Sequence, residues 1–322
     1  GGRAVGPPHR LMAGRPKPVV IVGPTATGKS DLAVALAERF GGEIVNADSR
    51  QVYRCLDIGT AKPPPEVRRR IPHHLFDIVR PDEEFSVALY TRLAREVVED
   101  IARRGRLPIL VGGTGHYIWA LLEGYQVPPI PPDPELRRRL RDRAEREGPE
   151  ALYAELKAAD PEAAARIDPR NLRRVIRALE VITKTGRKFS ELRLKNPPPW
   201  DPFIIGLTLD RQKLYRRIDR RVEEMIAAGW VDEVRRLLEK GYSPELPALT
   251  GHGYRWLAKY LKGEIPLEEA IARTKNEIHN YARHQYAWFR LSDPRITWLE
   301  ADDPGLFEKA ATLVGRYLAG RG

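Results

Sequence analysis

The stretch Val19-Val20-Ile21-Val22-Gly23-Pro24-Thr25-Ala26-Thr27-Gly28-Lys29-Ser30 decides the fold. Four β-branched residues enter a turn that fits G-x-x-x-x-G-K-[ST] at every defined position, and a helical pattern follows. Glycines at these positions let the backbone wrap phosphate oxygens with its N–H groups turned inward. The next helix aims its positive end at the same anion. Lys29 adds a full charge, and the Ser30 hydroxyl can ligate Mg²⁺. The expected phosphate site is therefore Gly23, Pro24, Thr25, Ala26, Thr27, Gly28, Lys29 and Ser30. It requires a di- or triphosphate and leaves open which molecule carries it.

Outward from this loop, Leu32, Ala33, Leu36, Ala37 and Phe40 mark the apolar face of a helix that Gly41-Gly42 ends. Strands are expected over 44–47 and 108–111, with a helix over 89–102 between them. Strand and helix alternate, which predicts an α/β fold with a P-loop NTPase-like parallel sheet and helices on both faces. The pattern changes at the proline-rich stretch 127–134. From 135 to about 194 only helices are expected, and a second run of prolines lies at 197–199. Strand patterns resume over 203–209 and 296–299. The expected organisation is a core domain of 18–127 and 200–318, interrupted by an all-helical insertion domain over 128–199. Residues 1–17, rich in Gly, Pro and Arg, are expected to be a disordered extension. That stretch has no apolar segment of the signal-peptide kind, and Met12 is a candidate first residue.

The chain has 322 residues, 42% of them hydrophobic, and a formal net charge of +11. Mean hydropathy is −0.46 and the pI is near 9.7. No apolar run approaches the roughly 18 residues that cross a bilayer, and a soluble, cytoplasmic protein is expected. Cys55 is the single cysteine, so an intrachain disulfide and a cysteine-based zinc cluster are both excluded. His73-His74 has no third ligand at a suitable spacing and reads as structural. The basic balance points to a polyanionic partner.

In an open parallel sheet, ligands gather at the carboxyl ends of the strands. Two polar clusters fall there. The first is Asn46-Ala47-Asp48-Ser49-Arg50-Gln51-Val52-Tyr53. A carboxylate beside a phosphate site can accept a proton from a nucleophile, but Asp48 reads equally as a turn or cap residue. The second is Gly112-Gly113-Thr114-Gly115-His116-Tyr117. Its glycines permit close approach of a ligand, and Thr114 reads either as a hydrogen-bonding site residue or as a helix cap.

These segments together resemble the tRNA dimethylallyltransferase (tRNA isopentenyltransferase) family. The resemblance is carried by Gly-Pro-Thr-Ala-Thr-Gly-Lys-Ser at 23–30, Asp48-Ser49 with Tyr53, Asp57-Ile58-Gly59-Thr60-Ala61-Lys62-Pro63 and Val111-Gly112-Gly113-Thr114. Arg177-Ala178-Leu179-Glu180, Arg217-Ile218 with Arg221, and Gly253-Tyr254-Arg255 follow in family order. It implies transfer of a dimethylallyl group from dimethylallyl diphosphate to N6 of the adenosine 3′ of the anticodon, with Mg²⁺ as cofactor and a P-loop serving the prenyl diphosphate. Asp48 then matches the general base, Thr114 the holder of the adenine amine and Arg221 the arginine near the diphosphate. Contact with the tRNA anticodon stem-loop is implied for Asp48, Ser49, Arg50, Gln51, Thr114, Gly253, Tyr254 and Arg255. The chain departs from the family pattern at His252, usually aliphatic, at Ile278-His279, usually Thr-Arg, and at Arg283-His284, usually Lys-Arg.

Arg170, Arg173, Arg174 and Arg177 fall on one helix face, opposite Leu172, Val175, Ile176 and Leu179. A wholly basic face suits RNA phosphates, and Arg137 to Arg139 add charge in the same insertion. On the late helix, Ile278, Tyr281, Gln285 and Trp288 form a stripe expected to pack into the core, with Lys275, His279 and Arg283 beside it. The rival readings are a P-loop small-molecule or nucleotide kinase and a non-enzymatic RNA-binding or assembly NTPase. A monomer is the expected state.

Overall fold

The computed structural model describes residues 14–124, 130–192 and 195–320. In chain order the elements are β1 (Val19–Val22), α1 (Lys29–Phe40), β2 (Gly42–Asn46), α2 (Pro65–Arg70), β3 (His73–His74), α3 (Val87–Arg103), β4 (Leu107–Val111) and α4 (Gly115–Glu123). Then come α5 (Pro134–Glu147), α6 (Pro149–Ala159), α7 (Pro161–Arg166), α8 (Leu172–Thr185) and α9 (Phe189–Leu192). The chain returns through β5 (Phe203–Thr208), α10 (Arg211–Ala227), α11 (Trp230–Glu239), α12 (Tyr254–Leu261), α13 (Leu267–Trp288), β6 (Ile296–Glu300) and α14 (Leu306–Leu318).

All six strands are parallel, in the order β3-β2-β4-β1-β5-β6. Every residue of β1, β2 and β4 is buried, as a sheet covered on both faces requires. Val20 and Val22 of β1 meet Tyr90, Ala94 and Val98 of α3 and Ile118 of α4. Val19 and Ile21 point the other way, into a layer with Leu32 and Leu36 of α1 and Val314 of α14. Each such aliphatic side chain contributes about 1.5–3 kcal/mol by leaving water. β1 has a neighbour on each side, so the phosphate loop leaves the middle of the sheet. The two-residue edge strand β3 is held by His74, whose Nε2 lies 2.8 Å from the buried Glu43 carboxylate. Among the described residues no group of three or more His, Cys, Asp or Glu could hold a metal ion.

The chain divides into two compact units: one made of residues up to Leu122 and from Pro199 onward, the other of Glu123–Pro198. The insertion boundary expected at 127/128 falls among residues 125–129, outside the described residues. The second unit has a core of its own, with Leu136, Leu140, Leu152, Leu156, Val175, Ile176 and Leu179. Asp133, Asp160 and Asn171 cap α5, α7 and α8 with their side chains.

The disordered extension expected over 1–17 is corrected at its end. Residues 1–13 lie outside the described residues, Gly14 and Arg15 are exposed, and Pro16 and Lys17 are tied to the core unit. Asp201 donates its N–H to the Pro16 carbonyl at 3.0 Å, and Lys17 Nζ reaches the Tyr317 carbonyl at 3.4 Å. Backbone pairing of Pro16 and Pro18 to the segment entering β5 holds this end of the stretch despite its composition.

Candidate active site

The phosphate loop forms because its backbone enters regions that side chains disfavour. Gly23 has φ 133° and Gly28, at the N-cap of α1, has φ 87°. A Cβ on Gly23 would lie 2.3 Å from the Leu207 carbonyl oxygen. Thr27 closes the turn by donating its hydroxyl to the Pro24 carbonyl at 2.7 Å. Lys29 Nζ folds onto the same loop, 2.7 Å from the Gly23 carbonyl and 2.9 Å from that of Pro24. Burial pulls its ammonium down to about 7; Arg221 adds to the effect and Asp48 opposes it. The Ser30 side chain borders the open cavity at this loop.

That cavity holds about 350 Å³. Lys29, Ser30, Asp31, Asp48, Gln51 and Arg221 contribute its polar lining. A narrower recess adjoins it, sharing Ala26, Asp48 and Arg221, and is walled further by Ile218, Val222, Met225 and Ile278, with His252 and Tyr281 also lining it. Arg221 projects from α10 into both spaces. Among the described residues it has no hydrogen bond or ion pair. The surface pairing with Glu224 that its spacing allows is not formed. Burial lowers its guanidinium most, while Asp31 and Glu224 act in the opposite sense.

Asp48 leaves the carboxyl end of β2. Asn46, fully buried, fixes that exit: its Oδ1 accepts the Asp48 N–H at 2.9 Å, and its Nδ2 donates to the Asp48 and Leu75 carbonyls at 3.0 Å. Asp48 Oδ1 accepts the N–H groups of Arg50 at 2.7 Å and Gln51 at 3.3 Å. The turn role and the cavity-facing role thus coexist in one side chain, whose two oxygens have room for both. Burial pushes its carboxyl above the ordinary range, against the Arg50 and Gln51 N–H groups and the Lys29 charge. Thr114 begins α4 with its backbone carbonyl, yet its hydroxyl crosses to accept the Ser49 N–H at 2.9 Å. That bond links the loop after β4 to the loop that carries Asp48.

The IPP transferase family model matches residues 51–292, and the Isopentenyl transferase model matches 17–71. A tRNA dimethylallyltransferase of Thermomicrobium roseum is 53% identical over 94% of this chain and 92% of its own. The chain belongs to the tRNA dimethylallyltransferase family. The tRNA isopentenylpyrophosphate transferase of Bacillus halodurans superposes with a TM-score of 0.72 at 40% identity, covering 95% of this chain and 98% of the other. A eukaryotic dimethylallyltransferase acting on tRNA superposes with a TM-score of 0.81 at 31% identity, over 95% and 80%. None of these tRNA dimethylallyltransferase relatives is named as a kinase, so the comparisons favour the transferase over the kinase alternative.

Several side chains assigned to tRNA from the sequence are engaged inside the protein. Tyr254 is fully buried and donates its hydroxyl to Glu233 at 2.7 Å, so its ring supports the fold. Glu233 also accepts the N–H groups of Asp57, Ile58 and Gly59, which joins the Asp57–Pro63 motif to the Gly253-Tyr254-Arg255 motif. Arg50 Nη1 donates to the Ala248 carbonyl at 2.8 Å, and Gln51 Nε2 to that of Thr60 at 2.8 Å. Gly253 lies in the left-handed region at the N-cap of α12. Arg255 stays exposed, over the Trp256 ring and 3.2 Å from Glu277.

In the insertion the wholly basic face is corrected by Glu180. Its fully buried carboxylate takes Arg137 at 2.8 and 2.9 Å and Arg177 at 2.6 Å. Arg170 precedes α8 and pairs with Asp168. Arg173 and Arg174 remain exposed, without an ion pair among the described residues. On α13, Lys275 and His279 pair with Glu223 and Asp219 of α10. The stripe expected to be core divides: Ile278 is buried, Tyr281 faces the recess, and Trp288 is 40% exposed. Gln285, part of the same stripe, is a site residue that sequence reasoning missed. Its buried amide hydrogen-bonds to the phosphate loop and to Gly113. Helical spacing indicated the face on which it lies but not that its partners would be polar.

Proposed function

We propose that this protein transfers a dimethylallyl group from dimethylallyl diphosphate to N6 of the adenosine 3′ of the tRNA anticodon. The observation that carries the reading is a pair of adjoining spaces, sharing Ala26, Asp48 and Arg221, with three chemistries side by side. The phosphate loop, Lys29 and Arg221, unpaired among the described residues, suit a diphosphate; the wall of Ala26, Ile218, Val222, Met225 and Ile278 suits a short branched chain; Asp48 suits an amine, and Thr114 is bonded to Ser49 beside it. The reading takes a single chain as the catalytic unit and the cytoplasm as its compartment.

The N6 lone pair forms the new C–N bond while the allylic C–O bond breaks and its electrons leave on diphosphate. Lys29, Arg221 and the loop N–H groups oppose the charge that grows on the leaving oxygens, usually the largest catalytic contribution. Asp48 accepts the N6 proton, which becomes acidic as the bond forms, and this contributes about 10²–10⁴-fold. Thr114 orients the amine. The donor set fits Mg²⁺ held mainly by diphosphate oxygens and water, because Ser30 offers a hydroxyl and no acidic cage is present among the described residues. Bound there, the ion supplies Lewis-acid charge neutralisation. The adenine has to leave its stack to reach the donor. Exposed Arg173 and Arg174 offer charge to RNA phosphates from the insertion.

The test is mass spectrometry of anticodon-loop nucleosides after incubation of the protein with unmodified tRNA, Mg²⁺ and dimethylallyl diphosphate, without ATP. A dimethylallyl mass gain on the adenosine 3′ of the anticodon is expected. No gain across several tRNAs with adenosine at that position would refute the reading.

A further inference from the structure

Gln285 of α13 is 2% exposed, and both ends of its amide are used. Oε1 accepts the Thr25 N–H at 2.8 Å, and Nε2 donates to the Gly113 carbonyl at 3.2 Å. Thr25 belongs to the phosphate loop after β1. Gly113 precedes Thr114 in the loop after β4, the strand beside β1. A Cβ on residue 113 would lie 2.0 Å from Nε2, so the glycine is what admits the amide. One turn earlier, the Tyr281 hydroxyl lies close to Thr114 and Gln285. A neutral amide satisfies this pair of partners, with an acceptor toward one and a donor toward the other. A carboxylate would meet the Thr25 N–H but repel the Gly113 carbonyl.

We propose that Gln285 is a positioning residue that sets the distance between leaving group and nucleophile. One amide atom holds the loop that cradles the diphosphate; the other holds the loop that carries Thr114. The proposal rests on the transferase reading above. Its consequence concerns the partition of the donor. When the two loops lose register, the amine is misplaced and water competes for the allylic carbon. Water oxygen forms the new C–O bond, the bond to diphosphate breaks with its electron pair, and the surplus proton passes to Asp48 or solvent. The products are dimethylallyl alcohol and diphosphate. A residue that served the fold alone would lower transfer and hydrolysis together.

The experiment measures tRNA adduct and dimethylallyl alcohol side by side for the wild-type protein, Gln285→Met and Gln285→Glu. Expected for both variants are a kcat for transfer lowered by about 10–100-fold, a donor KM within about threefold of wild type, and an alcohol-to-adduct ratio raised about tenfold or more. Gly113→Ala provides a second route, because it keeps Gln285 but displaces its amide; the same change of ratio is expected should Gln285→Met fail to fold. Wild-type transfer in Gln285→Met, or a proportional fall of both products in the folded variants, overturns the proposal. Absence of adduct with the wild-type protein would instead count against the transferase reading itself.

Discussion

Lys29 and Asp48 are displaced toward each other in acidity by the same cause. Burial lowers the ammonium to about 7 and raises the carboxyl above its ordinary value. For the proposed chemistry Lys29 must be protonated to receive a diphosphate, and Asp48 must be deprotonated to accept a proton. The expected kcat/KM for the donor is therefore bell-shaped: it falls below the raised pKa of Asp48 and again above about pH 7, where Lys29 loses its charge. Because kcat/KM follows the free protein, both limbs belong to the empty site. Lys29→Arg, whose guanidinium stays charged, is expected to abolish the basic limb while leaving the acid limb in place, and a pH series of initial rates measures this. Asp48→Asn is expected to lower kcat by about 10²–10⁴-fold, with donor KM little changed because the phosphate loop is intact.

Helix α8 combines two roles that its pattern does not separate. Val175, Ile176 and Leu179 enter the insertion core, and Glu180 collects Arg137 and Arg177. Burial raises the Glu180 carboxyl, but hydrogen bonds from Arg137, the Asp133 N–H and Arg177 outweigh it and hold it at about 2. Its contribution to stability is thus fully present above its ordinary value of 4.5 and is lost as pH falls toward about 2. Glu180→Ala is expected to destabilise the insertion by about 3 kcal/mol at neutral pH, read from urea unfolding, with the difference from wild type shrinking through that acid window. Arg173 and Arg174 behave differently. Their double alanine variant is expected to keep its stability and to weaken tRNA binding, with a salt slope shallower by about 0.7–0.9 for each phosphate left unneutralised. Arg137→Ala is expected to do the reverse, losing stability more than slope.

Across the whole molecule, the two units have separate apolar cores, and the sheet is assembled from both sides of the insertion. β5 lies between β1 and β6, so residues after Pro198 complete the sheet that presents the phosphate loop. The isolated segment 123–198 is expected to give a cooperative helical melt by circular dichroism, of low stability given its size. A chain ending at Pro198 is expected not to fold its sheet, because β1 would become an edge and Leu207 would be absent from beside Gly23. The features readable along the chain are local and periodic: the phosphate loop at 23–30, the buried strands, the alternation of strand and helix, and the family motifs. These were legible because backbone sterics and burial periodicity act within a few residues. Tertiary structure decided which charges are spent inside. Glu180 takes Arg137 and Arg177, Glu233 takes the Tyr254 hydroxyl, and Gln285 joins loops that follow two different strands. Apart from Arg177–Glu180, three residues apart on one helix, these pairings span tens to hundreds of residues, and a side chain's charge or amide carries no mark of its partner in the local pattern. A buried polar group has to find a partner, and only the packed fold brings one within reach.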